Sequence, residues 1–298
     1  MPDKNILHML TPLKHMSPFD VNMAADAGYY TIATYTEVTF PEVTALVQDA
    51  IFSRPPKLGA RTGVFIGGKD AIIALDMLEA AHKALVPPFA LSLFADPAGS
   101  FTTAGAMVAV VQKLLREKTG KTFKDVRVAV FGATGVVGFS AAVIAALEGA
   151  DVILVGYDGE ERVRKAAGEI GKRFSVKVRY ADGSTEEKKQ AVLNEAQVAL
   201  TAARAGMQVL SSAQVAKAGE LLVVADVNAV PPAGVEGLKV QAAGEPIGDT
   251  KVLGVGPLTI GAVKYKTEFG LFKKMIEATK PVKFDFRDAF ALATEHAG

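Results

Sequence analysis

The sequence predicts an α/β protein of two domains, each built on a parallel or mixed sheet with helices outside it. Three observations lead there. Strand-like apolar runs alternate with helical ones over the first hundred residues, the rhythm of β-α units. At residues 126–138 an apolar, β-branched run passes straight into Gly-Ala-Thr-Gly-Val-Val-Gly, a strand that turns into a helix. A chain of 298 residues, half of them hydrophobic, is long for one domain and sufficient for two cores.

In the first domain, strands are expected at 6–10, 30–35, 62–66 and 89–94, and helices at 41–52 and 71–84. Asp70 stands where the N-cap of the second helix belongs. Between the first strand and its helix lies Lys14-His15-Met16-Ser17-Pro18-Phe19-Asp20. Ser17 or Asp20 suits a cap and Pro18 a first helical turn, and a substrate-binding role for this cluster is equally open. A second polar cluster is Asp96-Pro-Ala-Gly99-Ser100-Phe-Thr102-Thr103. A cap accounts for one or two of its four polar groups. A long helix at 102–118 follows, and the polar stretch 118–124 reads as a connection. The domains are therefore drawn at 1–120 and 121–269, with C-terminal helices from about 270 to 298 returning to the first.

The second domain is expected to hold strands at 126–131, 151–156, 177–180, 198–202 and 221–225, with 251–255 as the last. Helices are expected at 139–147 and 160–173, from Pro257 to about 278, and at 286–295. The run Glu186-Glu187-Lys188-Lys189 reads as a solvated helix face.

The glycine turn carries the first chemistry. Gly132, Gly135 and Gly138 let backbone approach a pyrophosphate, and the helix N-terminus offers N–H groups to an anion. Asp158 follows Gly138 by 20 residues, at the end of the next strand, where a carboxylate accepts hydrogen bonds from a ribose. The spacing is G-x-x-G-x-x-G rather than G-x-G-x-x-G, and a ligand-free strand-to-helix turn is the alternative. The agreement of strand, helix, second strand and acid favours a Rossmann-type site for NAD or NADP. Its residues are Gly132, Ala133, Thr134, Gly135, Val136, Val137 and Gly138, with Tyr157, Asp158 and Arg162 toward the ribose. After the strand at 198–202, the small residues Ala202 and Ala203 with Arg204 leave room for a cofactor, or simply pack a loop. After the next strand, Asn228 is placed to hydrogen-bond a nicotinamide amide, on a loop stiffened by Pro231 and Pro232.

Composition excludes several function classes. The chain has 33 basic and 32 acidic residues, so nothing favours nucleic acid or an anionic membrane. It has no cysteine, which excludes disulfides, thiolate metal sites and cysteine nucleophiles. The four histidines, His8, His15, His82 and His296, lack metal-ligand spacing, and no metal is expected. Apolar stretches are broken well short of the roughly 18 residues a membrane span needs. No signal-like N-terminal pattern is seen, and a cytoplasmic location is expected. With half its residues apolar and a mean hydropathy of +0.25, the chain is expected to form a homo-oligomer.

Five segments then carry a family resemblance: His15–Asp20, Phe65–Asp70, Asp96–Thr103, Asp226–Pro232, and Gly256-Pro-Leu-Thr-Ile-Gly-Ala-Val-Lys264. Together they resemble the NAD(P)-dependent methylene-tetrahydromethanopterin dehydrogenases of methylotrophic bacteria, and span nearly the whole chain. Bifunctional methylene-tetrahydrofolate dehydrogenase/cyclohydrolases are a more distant likeness. The resemblance implies hydride transfer from methylene-tetrahydromethanopterin to NAD(P)+, giving the methenyl form during formaldehyde oxidation. It implies a tetrahydropterin substrate in an active cleft between the domains. It places His15, Ser17, Phe19, Gly99, Ser100, Thr102 and Thr103 at that substrate and Lys264 at the pterin. Asp20 is the first candidate, and Asp96 the second, for a carboxylate beside the developing cation.

The resemblance also sharpens the cofactor reading. NADP-specific relatives carry an arginine just after the second strand, where this chain has Gly156-Tyr157-Asp158. A carboxylate there favours a free ribose hydroxyl, so NAD should serve at least as well as NADP. Arg162 and Arg164, a few residues further on, could still reach a 2′-phosphate and rescue NADP use. Loss of hydride from a carbon between two nitrogens needs no proton removal, which suits a chain with few histidines and no cysteine. The alternatives are the folate version of the reaction, a shikimate- or amino-acid-dehydrogenase-like activity using Lys69, and a non-enzymatic NAD(H)-sensing protein.

Overall fold

The computed structural model describes residues 4–298, which fold as two compact units. One comprises residues up to Thr102 with Tyr265–Leu292, and the other Thr103–Lys264 with Ala293–Gly298. The sequence reading drew its boundaries at 120 and 270.

The first unit holds a parallel sheet of β1 (Ile6–Leu10), β2 (Thr31–Tyr35), β3 (Thr62–Ile66), β4 (Ser92–Ala95) and β12 (Lys283–Phe284), in the order β12-β4-β3-β1-β2. β3 is buried at every position, as a central parallel strand must be. Helix α1 (Pro18–Ala27) starts at Ser17, whose hydroxyl accepts from the Asp20 N–H at 3.4 Å, and Pro18 fills the first turn. Helix α3 (Ala71–Lys83) is capped by Asp70, which accepts from the Ile72 and Ile73 N–H groups at 2.8 and 2.9 Å. Helix α2 (Glu42–Phe52) lies between them in the chain. One face of the sheet is closed by α9 (Pro257–Glu277), whose Phe272 ring sits 5.4 Å from Phe65 and 5.2 Å from Phe94. Leu7, Met9, Met275 and Leu292 complete that core. The strand order reverses direction between β1 and β3, so the loops after these two strands part and open a crevice.

The second unit begins within α4 (Ser100–Leu114). Its sheet contains β5 (Arg127–Phe131), β6 (Asp151–Gly156), β7 (Arg179–Asp182), β8 (Val198–Thr201), β9 (Val223–Asp226), β10 (Ala243–Pro246) and β11 (Leu253–Val255). The order is β10-β11-β9-β8-β5-β6-β7, with only β10 antiparallel. Taken without β10, the six parallel strands run third-second-first-fourth-fifth-sixth, the Rossmann order, with its reversal between β5 and β8. Helices α5 (Val136–Leu147), α6 (Glu161–Phe174), α7 (Glu186–Glu195) and α8 (Ser212–Lys217) connect the strands, and α10 (Phe286–Ala297) ends the chain.

The structure adds β10, α8 and β12 to the sequence reading and shows that 251–255 does not hold the last strand. It moves the third Rossmann strand two residues toward the C-terminus, to Arg179–Asp182. The helical segment 97–119 is long and apolar enough to cross a membrane by length and composition alone, which the sequence reading missed; 78% of its apolar window is buried inside the protein. That is the environment of a core helix.

Candidate functional site

In the second unit the glycine turn and the end of β8 are pressed together. Gly132 has φ +76°, and a Cβ there would run into the carbonyl of Ala202. A Cβ on Gly138 would run into the carbonyl of Gly132. Two glycines are therefore fixed by close approach, one across the strands and one along the turn. Gly135 caps α5 with no side chain, so the first-turn N–H groups carry no side-chain cap. Beside this turn lies a cavity of about 570 Å³. Gly132, Thr134, Gly135, Ala202, Ala203 and Arg204 line it, as the sequence reading placed them. Ala133 is buried away from solvent, and Val136, Val137 and Gly138 do not line the cavity.

The end of the cavity beside β6 is shaped by a tight turn. A Cβ on Gly156 would overlap the Gly159 carbonyl, so β6 must end abruptly and deliver Tyr157 and Asp158 at its tip. Arg162, on the first turn of α6, donates to the Asp158 carboxylate at 3.3 Å, to the Tyr157 hydroxyl at 3.2 Å and to the Thr134 hydroxyl at 3.2 Å. Tyr157 and Arg162 line the cavity, whereas Asp158 stands outside its lining.

The far wall was not foreseen. It comes from Gly183, Ser184 and Lys189 at the β7–α7 corner and from Met207, Gln208 and Val209 after β8. Lys189, expected on a solvated face, instead turns inward: its ammonium donates to the Val209 carbonyl at 3.0 Å and pairs with Glu186 at 2.5 Å. The switch-point rule applies to the end of every strand, but ending β7 at residue 180 hid Gly183 and Ser184 from it. Arg162, Lys189 and Arg204 line the cavity against one acid, Glu186. Small backbone-lined walls and this surplus of cations fit a dinucleotide.

Asn228 has a different setting from the one the sequence reading gave it. It is 5% exposed, and its amide is engaged within the protein. The oxygen accepts from the Gly206 N–H at 3.2 Å and the Val230 N–H at 3.0 Å, and the nitrogen donates to the Pro232 carbonyl at 2.9 Å. Beneath it, the buried Asp226 accepts from the Thr201 hydroxyl at 2.7 Å and the Gly234 N–H at 2.9 Å. Burial pushes the Asp226 carboxyl up from its ordinary range, against the pull of those bonds. The loops after β8 and β9 are thus stitched to each other through one amide and one acid.

In the first unit a cavity of about 480 Å³ sits at the crevice between β1 and β3. His15, Ser17 and Asp20 are brought together there, with Lys14 and, from the loop after β3, Gly67, Gly68 and Lys69. Asp20 is only 1% exposed, while Lys14, His15 and Lys69 are exposed. The cavity therefore combines a buried carboxylate with the exposed cations Lys14 and Lys69. Ala98, with φ +53°, contributes a wall.

The other candidates lie elsewhere. Phe19 is exposed and meets Tyr265 edge-on, ring centroids 6.5 Å apart. Lys264 is half-buried on α9, next in sequence to Tyr265. Asp96 is buried and serves the backbone: it accepts from the Phe101 and Thr102 N–H groups at 2.7 and 3.3 Å and from the Thr102 hydroxyl at 2.5 Å. Thr102 is fully buried by this contact, and Gly99, Ser100 and Thr103 do not line the cavity.

Comparison with known proteins decides the family. The chain is 52% identical over 295 residues, covering 99% of both chains, to the NAD(P)-dependent methylenetetrahydromethanopterin dehydrogenase of Methylorubrum extorquens. Residues 18–98 match the family described as methylene-tetrahydromethanopterin dehydrogenase, N-terminal. The chain belongs to the methylenetetrahydromethanopterin dehydrogenases. It is also 33% identical over 281 residues to the bifunctional protein MdtA of the same organism, covering 94% of this chain and 95% of that one. Among solved structures, the shikimate 5-dehydrogenase of Listeria monocytogenes, bound to shikimate and NAD, shares the fold. Its TM-score is 0.52 at 16% identity, covering 91% of this chain and 92% of that chain.

Proposed function

We propose that this enzyme transfers a hydride from methylene-tetrahydromethanopterin to NAD+ or NADP+, with the pterin in the cavity of the first unit and the cofactor in the cavity of the second. Near-complete alignment with the Methylorubrum enzyme is the observation that carries this reading. The two crevices, each at the reversal point of its sheet, support the placement of the two ligands. The reading includes a homo-oligomer in the cytoplasm. Its half-apolar composition supports the first, and its dependence on a dissociable nicotinamide cofactor the second.

Bound nicotinamide supplies the hydride acceptor. What the chain supplies is position and field. The first-turn N–H groups of α5 hold the pyrophosphate, and Ala202 and Ala203 leave room for the cofactor to lie against backbone. Asp226 and Asn228 hold the loops that border it. As hydride leaves, positive charge spreads over the two nitrogens flanking the reacting carbon. The Asp20 carboxylate, buried at the floor of its cavity, stabilises that charge in a setting that screens it poorly. Lys14 and Lys69 face the carbonyl and acidic groups of the substrate, and no proton has to be removed.

The test is reduction of NAD+ and NADP+ by methylene-tetrahydromethanopterin, followed by the near-ultraviolet absorbance of reduced nicotinamide, in the wild type and in Asp20→Asn. Turnover should fall about 10²- to 10³-fold in the variant with folding intact, the range for losing one preorganised electrostatic group. Unchanged kinetics would remove Asp20 from the site. Absence of reduction by the wild type with either cofactor would overturn the reaction itself.

A further inference from the structure

We propose that Arg162 is the residue that lets one pocket accept both NAD and NADP, by exchanging Asp158 for the 2′-phosphate when the phosphate is present. The proposal rests on the second-unit cavity being the cofactor site. Asp158 at the tip of β6 suits the two hydroxyls of an NAD ribose and repels a phosphate. An NADP-binding pocket with that carboxylate needs a cation able to leave it.

Arg162 meets this requirement in three ways. First, its guanidinium bridges the acid and the glycine turn, with one terminal nitrogen on Asp158 and Tyr157 and the other on Thr134. It is therefore already at the ribose end of the cavity that it lines. Second, the pair is easily broken: the Arg162 and Asp158 side chains are 52% and 40% exposed, and ion pairs in water contribute little. Third, the three bonds use three of the five guanidinium N–H donors, leaving two for a phosphate.

Other cations are less suited. Lys189 is held by Glu186 and the Val209 carbonyl at the far wall. Arg164, the second arginine of this helix turn, does not line the cavity. With NAD bound, Arg162 stays on Asp158, which accepts the ribose hydroxyls. With NADP bound, Arg162 turns to the phosphate, and the exposed Asp158 is left to water.

The test is equilibrium binding of NAD+, NADP+ and 2′,5′-ADP to the full-length protein, to Arg162→Gln and to Asp158→Asn, at low and high salt. No turnover is read, so the result is independent of the pterin reaction. In Arg162→Gln the affinities for NADP+ and 2′,5′-ADP should fall about 30- to 100-fold relative to NAD+, the loss of a charge-assisted bidentate contact. The stronger salt dependence of NADP+ binding should vanish with it. In Asp158→Asn the NADP+ to NAD+ affinity ratio should rise several-fold. Equal weakening of NAD+ and NADP+ in Arg162→Gln, or unchanged 2′,5′-ADP binding, would overturn the proposal. Failure of the unaltered protein to bind either nucleotide would overturn the cofactor site and the proposal together.

Discussion

Replacing Asn228 by alanine separates two roles for one residue. Its side chain makes three hydrogen bonds: those to Val230 and Pro232 hold its own loop after β9, and that to Gly206 joins this loop to the one after β8. A net bond is worth about 1 kcal/mol, and a buried group left unpaired costs more. Val230 and Pro232 are exposed and Gly206 is half-buried, so the groups set loose in Asn228→Ala can reach water. The loss should therefore total about 2 kcal/mol, below the upper limit for three buried bonds. For a unit of this size that lowers the melting temperature by about 4 to 8 °C. Ala203, Arg204, Met207, Gln208 and Val209 lie on the loosened loop and line the cavity proposed for the cofactor. Binding must then restore the loop's order, which weakens affinity by up to about 30-fold. Thermal unfolding and calorimetric titration with ADP-ribose, which lacks the nicotinamide, measure both effects. If Asn228 is a positioning residue, both melting temperature and ADP-ribose affinity fall. Unchanged values for both, with a large drop in turnover, would refute this and return Asn228 to the nicotinamide amide.

The same logic applies to Asp96. Asp96→Ala strands three buried donors at the start of α4 and should cost about 3 to 5 kcal/mol in chemical denaturation. Asp96→Asn keeps one oxygen for the backbone N–H groups and should cost only about 1 kcal/mol while retaining turnover; collapse of turnover in this milder variant would place Asp96 at the reacting carbon. His8 gives a pH prediction. Burial, aided by the nearby Arg54, lowers its pKa below the ordinary 6.5, so the folded state binds its proton less readily than the unfolded chain. Its contribution is present above pH 6.5 and lost as pH falls from there toward the lowered value. Stability measured across that window should be flatter in His8→Gln than in the wild type, and parallel curves would exclude His8 as the source.

The fold was legible where physical constraints act on adjacent residues. The apolar strands, the Asp70 and Ser17 caps and the glycine turn each announce themselves locally. The missed elements lack such marks. β10 reads Ala-Gly-Glu-Pro on an exposed antiparallel edge with an irregular register, and β12 is two residues long. The lining of the second-unit cavity was half legible: the turn, Ala202, Ala203, Arg204, Tyr157 and Arg162 follow from strand ends. The Lys189 wall depends on a β7 end that periodicity placed two residues early. In the first unit the Lys14–Asp20 cluster was legible as a group. Whether Asp96 faced ligand or backbone was not, because the same carboxylate suits a cap and a cation. Asn228 shows the same ambiguity: an amide suits a nicotinamide as well as the backbone groups of Gly206, Val230 and Pro232 that it meets in the fold.

The interrupted path of the first unit bears on how the chain is made. Its sheet lacks the fifth strand, and its Phe65–Phe94 face lacks Phe272, until residues beyond 265 have been synthesised. The Rossmann sheet, by contrast, has all seven of its strands by Val255. On a ribosome, then, the part begun first is finished last, and its aromatic face waits uncovered while the later part closes over its own core. A nascent chain halted before α9 would carry that open face into solution, where transiently exposed apolar surface leads to aggregation.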